Sequence, residues 1–173
     1  MRAIVQRVKN ARVSVDGNIV GQINAGLLVY LGVGKEDNES DAEFIADKIV
    51  NLRIFADNND KMNLSVKDKS LRHGSTPSMQ LRTGSLTTGG SGLAGQVLVV
   101  SNFTLFGDCR KGRRPGFDSA AEPVIAERLY EKVIELIEVE GLIVQKGIFA
   151  AYMEVESLND GPVNFLLDSK RLF

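Results

Sequence analysis

Two short polar segments carry the residue types best suited to chemistry in this chain. Near the middle, the segment SNFTL (101–105) follows an apolar run of strand character, and near the end NDGPV (159–163) leads into another such run. Small hydroxyl and amide side chains at the end of a strand leave backbone N–H groups at the sheet margin. Such N–H groups can stabilise the negative charge that develops when an ester carbonyl is attacked. The first segment is therefore a candidate site for acyl chemistry.

The hydroxyl groups of SNFTL also have a purely structural explanation. Neither Ser101 nor Thr104 has a base beside it in sequence, so a nucleophilic side chain is not indicated. Both hydroxyls could instead satisfy backbone groups at the point where a strand ends. The segment taken alone leaves both explanations open.

The dipeptide Gly161-Pro162 gives the second segment its own chemistry. An X–Pro bond is the only kind of peptide bond that readily adopts the cis form, and glycine permits backbone angles closed to other residues. A rigid corner of this kind can turn carbonyl groups toward a ligand. Such carbonyls can select one stereoisomer by excluding the side chain of the other. An ordinary turn between two strands is the alternative explanation.

A contact with nucleic acid would have to come from a local cluster of cations. The 173 residues carry a formal net charge of −1, so the chain as a whole generates no positive field. The densest cluster is RKGRRP (110–115), which has four cations in six residues. It can neutralise phosphates, although a solvated basic loop would show the same composition.

The sequence offers few ligands for a metal or cofactor. Zinc needs three or four cysteine, histidine or carboxylate ligands, and the chain has one cysteine and one histidine, Cys109 and His73. His73 stands in a segment rich in Gly, Ser and Thr and is a poor base for a catalytic triad. GSGLAG (90–95) matches G-x-G-x-x-G but precedes a strand, whereas a dinucleotide site needs it to follow one. We expect neither a metal nor a cofactor.

Cysteine usage and hydropathy predict a cytoplasmic protein without a membrane partner. A single cysteine excludes an intramolecular disulfide and indicates a reducing compartment. The longest apolar run, 25–33, is shorter than the roughly 20 residues that span a bilayer. The first seven residues contain no apolar stretch of the kind found in signal peptides.

The pattern along the chain predicts an α+β domain over residues 1–173. Alternation and apolar runs predict strands, and the turn Asp16-Gly17-Asn18 predicts a hairpin. Two segments have helical spacing: one carries Ala42, Ile45, Ile49 and Leu52 behind a cap at Ser40 or Asp37, and the other spans about 121–140. The predicted strands are 12–16, 19–23, 26–33, 96–100, 149–155 and 163–167.

Many strands and only two main helices favour antiparallel sheets, arranged as a sandwich or barrel, with the helices packed on one side. The segment 67–95 is rich in Gly, Ser and Thr and lacks a sustained period. It predicts a flexible insertion within the domain.

Together these segments resemble the D-aminoacyl-tRNA deacylases. In that family the first motif is Ser-Gln-x-x-Thr and the second is Asn-x-Gly-Pro-Val-Thr. This chain departs from the motifs at Asn102, where the family has Gln, and at Asn164, where it has Thr. The likeness covers most of the chain, since it continues through the segments MRAIVQRV (1–8), GLLV (26–29), LRIF (52–55) and KMNLS (61–65).

The resemblance implies a homodimer that hydrolyses the ester between a D-amino acid and the 3′ end of tRNA, without a cofactor and with no DNA partner. A water or the terminal 2′-hydroxyl of the tRNA would be the nucleophile. It also implies roles for individual residues. Gly161 and Pro162, oriented by Arg7, would form a chiral selector that enters the partner's active site. The catalytic pocket would contain Ser101, Asn102, Phe103 and Thr104, and the loop that contacts tRNA would contain Lys111, Arg113 and Arg114.

Two other functions remain compatible with the sequence. One is a non-catalytic RNA-binding module that keeps the fold and the basic loop. The other is a deacylase with relaxed chirality, which would admit an L-amino acid or glycine, as on a mischarged glycyl-tRNA. Retention of Gly161-Pro162 favours the chiral enzyme, because phosphate binding alone does not need this dipeptide.

Overall fold

The computed structural model describes residues 1–71 and 95–172, which form one mixed six-stranded sheet, a small two-stranded sheet and three helices. No helix in this part of the chain is long and apolar enough to cross a membrane. In chain order the elements are β1 (Arg2–Val15), β2 (Asn18–Ile23), β3 (Gly26–Gly32), α1 (Glu39–Asn51), β4 (Phe55–Ala56), β5 (Met62–Leu64), α2 (Val66–Leu71), β6 (Gln96–Ser101), a 3₁₀ turn (Phe103–Phe106), α3 (Pro123–Val139), β7 (Ile143–Lys146) and β8 (Glu154–Asp168).

The long strand β1 organises the main sheet. Its antiparallel partners are β2, β3 and β8, whereas β3, β6 and β7 run parallel to one another in the order β3-β6-β7. The predicted α+β class is confirmed, but the sheet is mixed and not purely antiparallel. The reason is that helices connect β3 to β6 and β6 to β7, and a crossover through a helix brings the next strand back in the same direction.

Local sequence explains where the main elements begin and end. Asp16 and Gly17 have φ of 50° and 76°, which confirms the predicted hairpin between β1 and β2. Helix α1 is capped by Asn38, whose side chain accepts the Ser40 N–H at 2.9 Å, so the predicted cap at Ser40 or Asp37 was wrong by one or two residues. Pro123 opens α3, as its fixed φ favours.

The sheet buries apolar side chains on both faces. One face packs against α1 and α3, which confirms that the two main helices lie on the same side. The other face of the sheet covers a smaller core, which is formed by residues of β1, β2, β3 and β6. Val5 belongs to the first core and Val8 to the second, because residues three apart along a strand point to opposite faces of the sheet.

The predicted insertion over 67–95 is only partly described. Residues 67–71 belong to helix α2, where the sequence predicted no regular structure. The remainder, 72–94, lies outside the described residues, and so does His73. Residue Gly95 leads directly into β6, which the sequence predicted.

Candidate active site

The SNFTL segment borders a pocket of about 340 Å³. The pocket lies between the end of β6, the start of α3 and the turn that precedes β8, and its wall is mainly apolar. Ser101, Asn102 and Phe103 line it, whereas Thr104 does not. Small side chains leave the space open, namely Ala120, Ala121, Ala126, Ala150 and Ala151.

The side chain of Asn102 shapes the turn beside this pocket. Its Oδ1 accepts the Thr104 N–H at 2.9 Å and also the Thr104 hydroxyl. The Asn102 N–H donates to the Leu31 carbonyl at 2.8 Å. The Phe103 N–H, by contrast, has no acceptor within the described residues. One backbone donor at the pocket is therefore left for a ligand.

Tyr130 and Phe149 form the aromatic part of the wall. Their ring centroids lie 5.7 Å apart, and the buried Tyr130 hydroxyl donates to the Val99 carbonyl at 2.9 Å. Burial raises the pKa of the Tyr130 phenol, so it stays protonated. This bond ties α3 to β6 two residues before Ser101.

We expect Tyr130→Phe to lower the free energy of unfolding by about 1 kcal/mol, the usual net contribution of one hydrogen bond. The loss is small because the Val99 carbonyl still accepts the Gly147 N–H at 3.0 Å. Differential scanning calorimetry should show a Tm lowered by about 2–4 °C for a chain of this size. An unchanged Tm would mean that the hydroxyl does not stabilise the junction of α3 and β6.

The turn over residues 148–152 is a part of the site that sequence patterns missed. The sequence predicted a strand over 149–155, but β8 begins only at Glu154. Ala150 has φ of 58°, and the Ala151 N–H donates to the Ile148 carbonyl at 3.2 Å, so the chain turns here and lines the pocket. Two successive alanines in an apparent strand are the only signal that the sequence gave.

Gly161 and Pro162 lie in a bulged loop within β8, which continues on both sides of it, whereas the sequence predicted a segment between two strands. Two steps along β1, from Gln6 to Val8, correspond to five steps along β8, from Asn164 to Asn159. The extra residues bulge outward, and both Gly161 and Pro162 are exposed. The Gly161-Pro162 bond is cis, and Gly161 has φ of 131°. Neither residue is among those that line the pocket of the same chain.

Arg7 lies under this loop. Its guanidinium donates to the Ile54 carbonyl, and its Nε lies 3.0 Å from Asp160 Oδ2. This contact is an ion pair without hydrogen-bond alignment, because Nε is buried and makes no hydrogen bond. A Cβ placed on Gly161 would lie 3.4 Å from Arg7 Nη2. The structure thus brings Arg7 against the loop that contains Gly161 and Pro162.

The chain is similar to a known protein family over both candidate segments. The family model described as D-Tyr-tRNA(Tyr) deacylase matches residues 4–74 and 79–168. The chain belongs to this family. Both candidate motifs lie within the matched ranges.

Individual relatives agree over the full length. The D-aminoacyl-tRNA deacylase of Fervidobacterium nodosum is 53% identical over 173 residues, which cover 100% of both chains. A solved structure named c-Myc DNA Unwinding Element Binding Protein is 34% identical, with a TM-score of 0.78 over 97% of this chain and 98% of that one. A probable eukaryotic D-amino acid tRNA deacylase, 13% identical with a TM-score of 0.72 over 96% and 97% of the two chains, shares the fold.

Both departures from the deacylase motifs take part in local hydrogen bonds. Asn102 reaches the Thr104 N–H and hydroxyl through one carbonyl oxygen. Asn164 accepts from Gln6 Nε2 at 2.8 Å and donates to Asn159 Oδ1 at 3.2 Å. Asn159 in turn donates to the Arg7 carbonyl at 2.8 Å. Asn164 therefore supports the base of the loop that contains Gly161 and Pro162.

The basic loop of this deacylase is anchored beside the pocket. Asp108 and Gly116 close it with two backbone hydrogen bonds of 2.7 and 3.0 Å, and Phe117 packs edge-on against Phe103 with centroids 5.0 Å apart. Arg110 pairs with Asp108 and holds the pKa of that carboxyl well below its usual range. Three cations of the loop are exposed and form no ion pair in the described part of the chain: Lys111, Arg113 and Arg114.

Proposed function

We propose that this protein hydrolyses the ester bond of D-aminoacyl-tRNA and releases the free D-amino acid and the tRNA. The observation that carries the proposal is the unbonded Phe103 N–H at the edge of an open pocket, in a chain that belongs to the D-Tyr-tRNA(Tyr) deacylase family. A donor in this position can bind the ester carbonyl oxygen and stabilise the oxyanion that forms on attack.

The nucleophile is a water molecule, and the substrate orients it. Among the described residues that line the pocket, none is an aspartate, glutamate, histidine or lysine, and Tyr130 is buried and bonded to Val99. No side chain there can remove a proton near neutral pH. A water oriented by the terminal 2′-hydroxyl of the tRNA attacks the carbonyl carbon while the Phe103 N–H holds the carbonyl oxygen. The bond between the acyl carbon and the 3′-oxygen then breaks, and the proton that the water loses passes to that 3′-oxygen. The side chain of Asn102 fixes the start of the 3₁₀ turn, and Ser101 and Thr104 lie beside it.

Chirality is read by the loop that contains Gly161 and Pro162, acting on a second copy of the chain. These residues are exposed and do not line the pocket of their own chain, so a homodimer would let the loop enter the partner's pocket. Strand β8, which carries the loop, also presents three exposed apolar side chains suited to such an interface, Leu158, Phe165 and Leu166. Arg7 and Asp160 would set the orientation of the loop.

The tRNA is held through the basic loop. Lys111, Arg113 and Arg114 are exposed and free to pair with phosphates, and the base of the loop touches Phe103 at the pocket. Because the substrate is an aminoacyl-tRNA, we place the enzyme in the cytoplasm, where a single exposed thiol, Cys109, would remain reduced.

The deciding experiment compares hydrolysis of D-tyrosyl-tRNA and L-tyrosyl-tRNA by purified protein without added metal. We expect rapid turnover of the D-aminoacyl ester and negligible turnover of the L-aminoacyl ester. Comparable rates would indicate relaxed chirality, and glycyl-tRNA would then be the next substrate to measure. Binding of tRNA without hydrolysis of either ester would contradict the enzyme and support an RNA-binding module.

A further inference from the structure

The most exposed large apolar side chain in the described residues belongs to Tyr152, which lies next in sequence to residues that line the pocket. Its exposed fraction is 88%, although its neighbours Ala151 and Met153 both line the pocket wall. Its hydroxyl has no hydrogen-bond partner in the part of the chain that the structure describes. Neither packing nor a hydrogen bond within this chain accounts for the aromatic ring.

A second aromatic surface flanks the same pocket. Phe103, which lines it, is 58% exposed, and its ring meets Phe117 at an interplanar angle of 70°. The basic loop begins and ends next to this pair, since Asp108 and Gly116 close it. Exposed rings therefore lie in or next to the pocket lining, and the basic loop adjoins Phe103 with three exposed cations that form no ion pair in the described residues.

Exposed rings beside cations match the chemistry of single-stranded nucleic acid. Bases stack on aromatic side chains while phosphates pair with Lys and Arg, and this mode of binding tolerates any base because each has a π-face. A duplex would present no free base faces to such rings. The proposed substrate ends in unpaired nucleotides, so its chemistry complements this surface.

We propose that Tyr152 is a stacking platform for the unpaired nucleotides that immediately precede the aminoacylated terminal nucleoside of the tRNA. The inference rests on the proposed function, because it assigns the 3′ end of the tRNA to this pocket. It adds that the ring of Tyr152 contributes to substrate affinity and not to the chemical step. The terminal nucleoside and its ester occupy the pocket, and the strand leaves it across Tyr152.

The test compares a substrate that has the preceding nucleotides with one that lacks them. For D-tyrosyl-tRNA, Tyr152→Ala should raise KM by roughly 5- to 100-fold, the range expected for one lost base–aromatic stack, and leave kcat unchanged. For D-tyrosyl-adenosine, which has no preceding nucleotide, the same variant should leave both constants unchanged. An equal rise in KM for the two substrates would indicate that Tyr152 is part of the pocket wall and would overturn the proposal. An unchanged KM for both substrates would also overturn it.

Three matched variants separate stacking from other roles. Tyr152→Phe should behave as the wild type, because stacking does not use the hydroxyl, whereas Tyr152→Leu should lose affinity as Tyr152→Ala does. A wild-type KM for Tyr152→Leu would contradict stacking. Val139→Ala truncates another highly exposed side chain, at the end of α3 and outside the pocket lining, and should change neither constant.

Two further measurements distinguish failure of this inference from failure of the proposed function. Fluorescence anisotropy with an uncharged single-stranded RNA ending in CCA should show the same loss of affinity for Tyr152→Ala, even if the wild type hydrolyses no ester. Unchanged RNA affinity would overturn the inference about Tyr152 without contradicting the proposed hydrolysis. Sedimentation should show the same oligomeric state for the variant, and a shift in that state would assign the ring to a contact between copies of this chain.

Discussion

Replacing Gly161 with alanine should lower kcat/KM for D-tyrosyl-tRNA by about 100-fold, the scale of loss expected when a positioning element moves by about 1 Å. Gly161 has φ of 131°, a region that side chains rarely adopt, and an added Cβ would lie 2.6 Å from Val163 Cγ2 and 2.9 Å from the Val163 N atom. The second of these contacts is with backbone, so the loop itself has to move. Steady-state kinetics on the D- and L-aminoacyl esters would measure the effect.

Stability should change much less than activity in this variant. The loop is exposed and lies outside the register of β1 and β8, so the backbone strain of about 1–3 kcal/mol can be relieved locally. Gly141→Ala is the matched control, because Gly141 has φ of 79° at the end of α3 and an added Cβ meets nothing within 4 Å. Gly141→Ala should cost stability and retain full activity. If Gly161→Ala had the kinetic constants of the wild type, the loop would have no role in the active site.

A second large effect is expected from Asn102→Ala. The substitution removes the acceptor for both the N–H and the hydroxyl of Thr104, so the 3₁₀ turn loses the contact that fixes its start. The Phe103 N–H then no longer points reliably at the ester oxygen. Since the loss of one oxyanion donor costs 10²–10³ in rate, we expect kcat to fall by about 100-fold while the affinity for tRNA is retained.

The control for Asn102→Ala removes a similar cap elsewhere. Asn38 accepts the Ser40 N–H at 2.9 Å at the start of α1 and does not line the pocket. Asn38→Ala and Asn102→Ala should each lower the free energy of unfolding by about 0.5–2 kcal/mol, but only the second should lower kcat. If both variants lost activity in proportion to their stability, the cap at Asn102 would have no specific role in catalysis.

The sequence predicted the parts of this fold that local chemistry determines. Apolar alternation, the Asp16-Gly17 turn and Pro123 each act within a few residues, and the hairpin and the start of α3 agree with the structure. The position of SNFTL at the end of β6 followed from the apolar run before it. These features need no knowledge of distant contacts.

The missed features depend on contacts that are distant in sequence. Strand β7 has four residues and was not predicted, because only its parallel pairing with β6 makes it a strand. The residue types around Gly161 are typical of a turn. In the structure β8 is nevertheless continuous, because β1 pairs with β8 both before and after this segment. The bend at Ala150 is likewise set by the pocket that it encloses and not by the residue types.

Strand β1 has a consequence for how the molecule unfolds. It contributes Val5 to the core beneath the helices and Val8 to the core on the opposite face, and Arg7 lies between them. Loss of either core would detach part of the same strand from β8. We infer that the two cores melt together, as one cooperative unit. The loop that we propose reads chirality and the sheet that carries the pocket should therefore unfold at the same temperature.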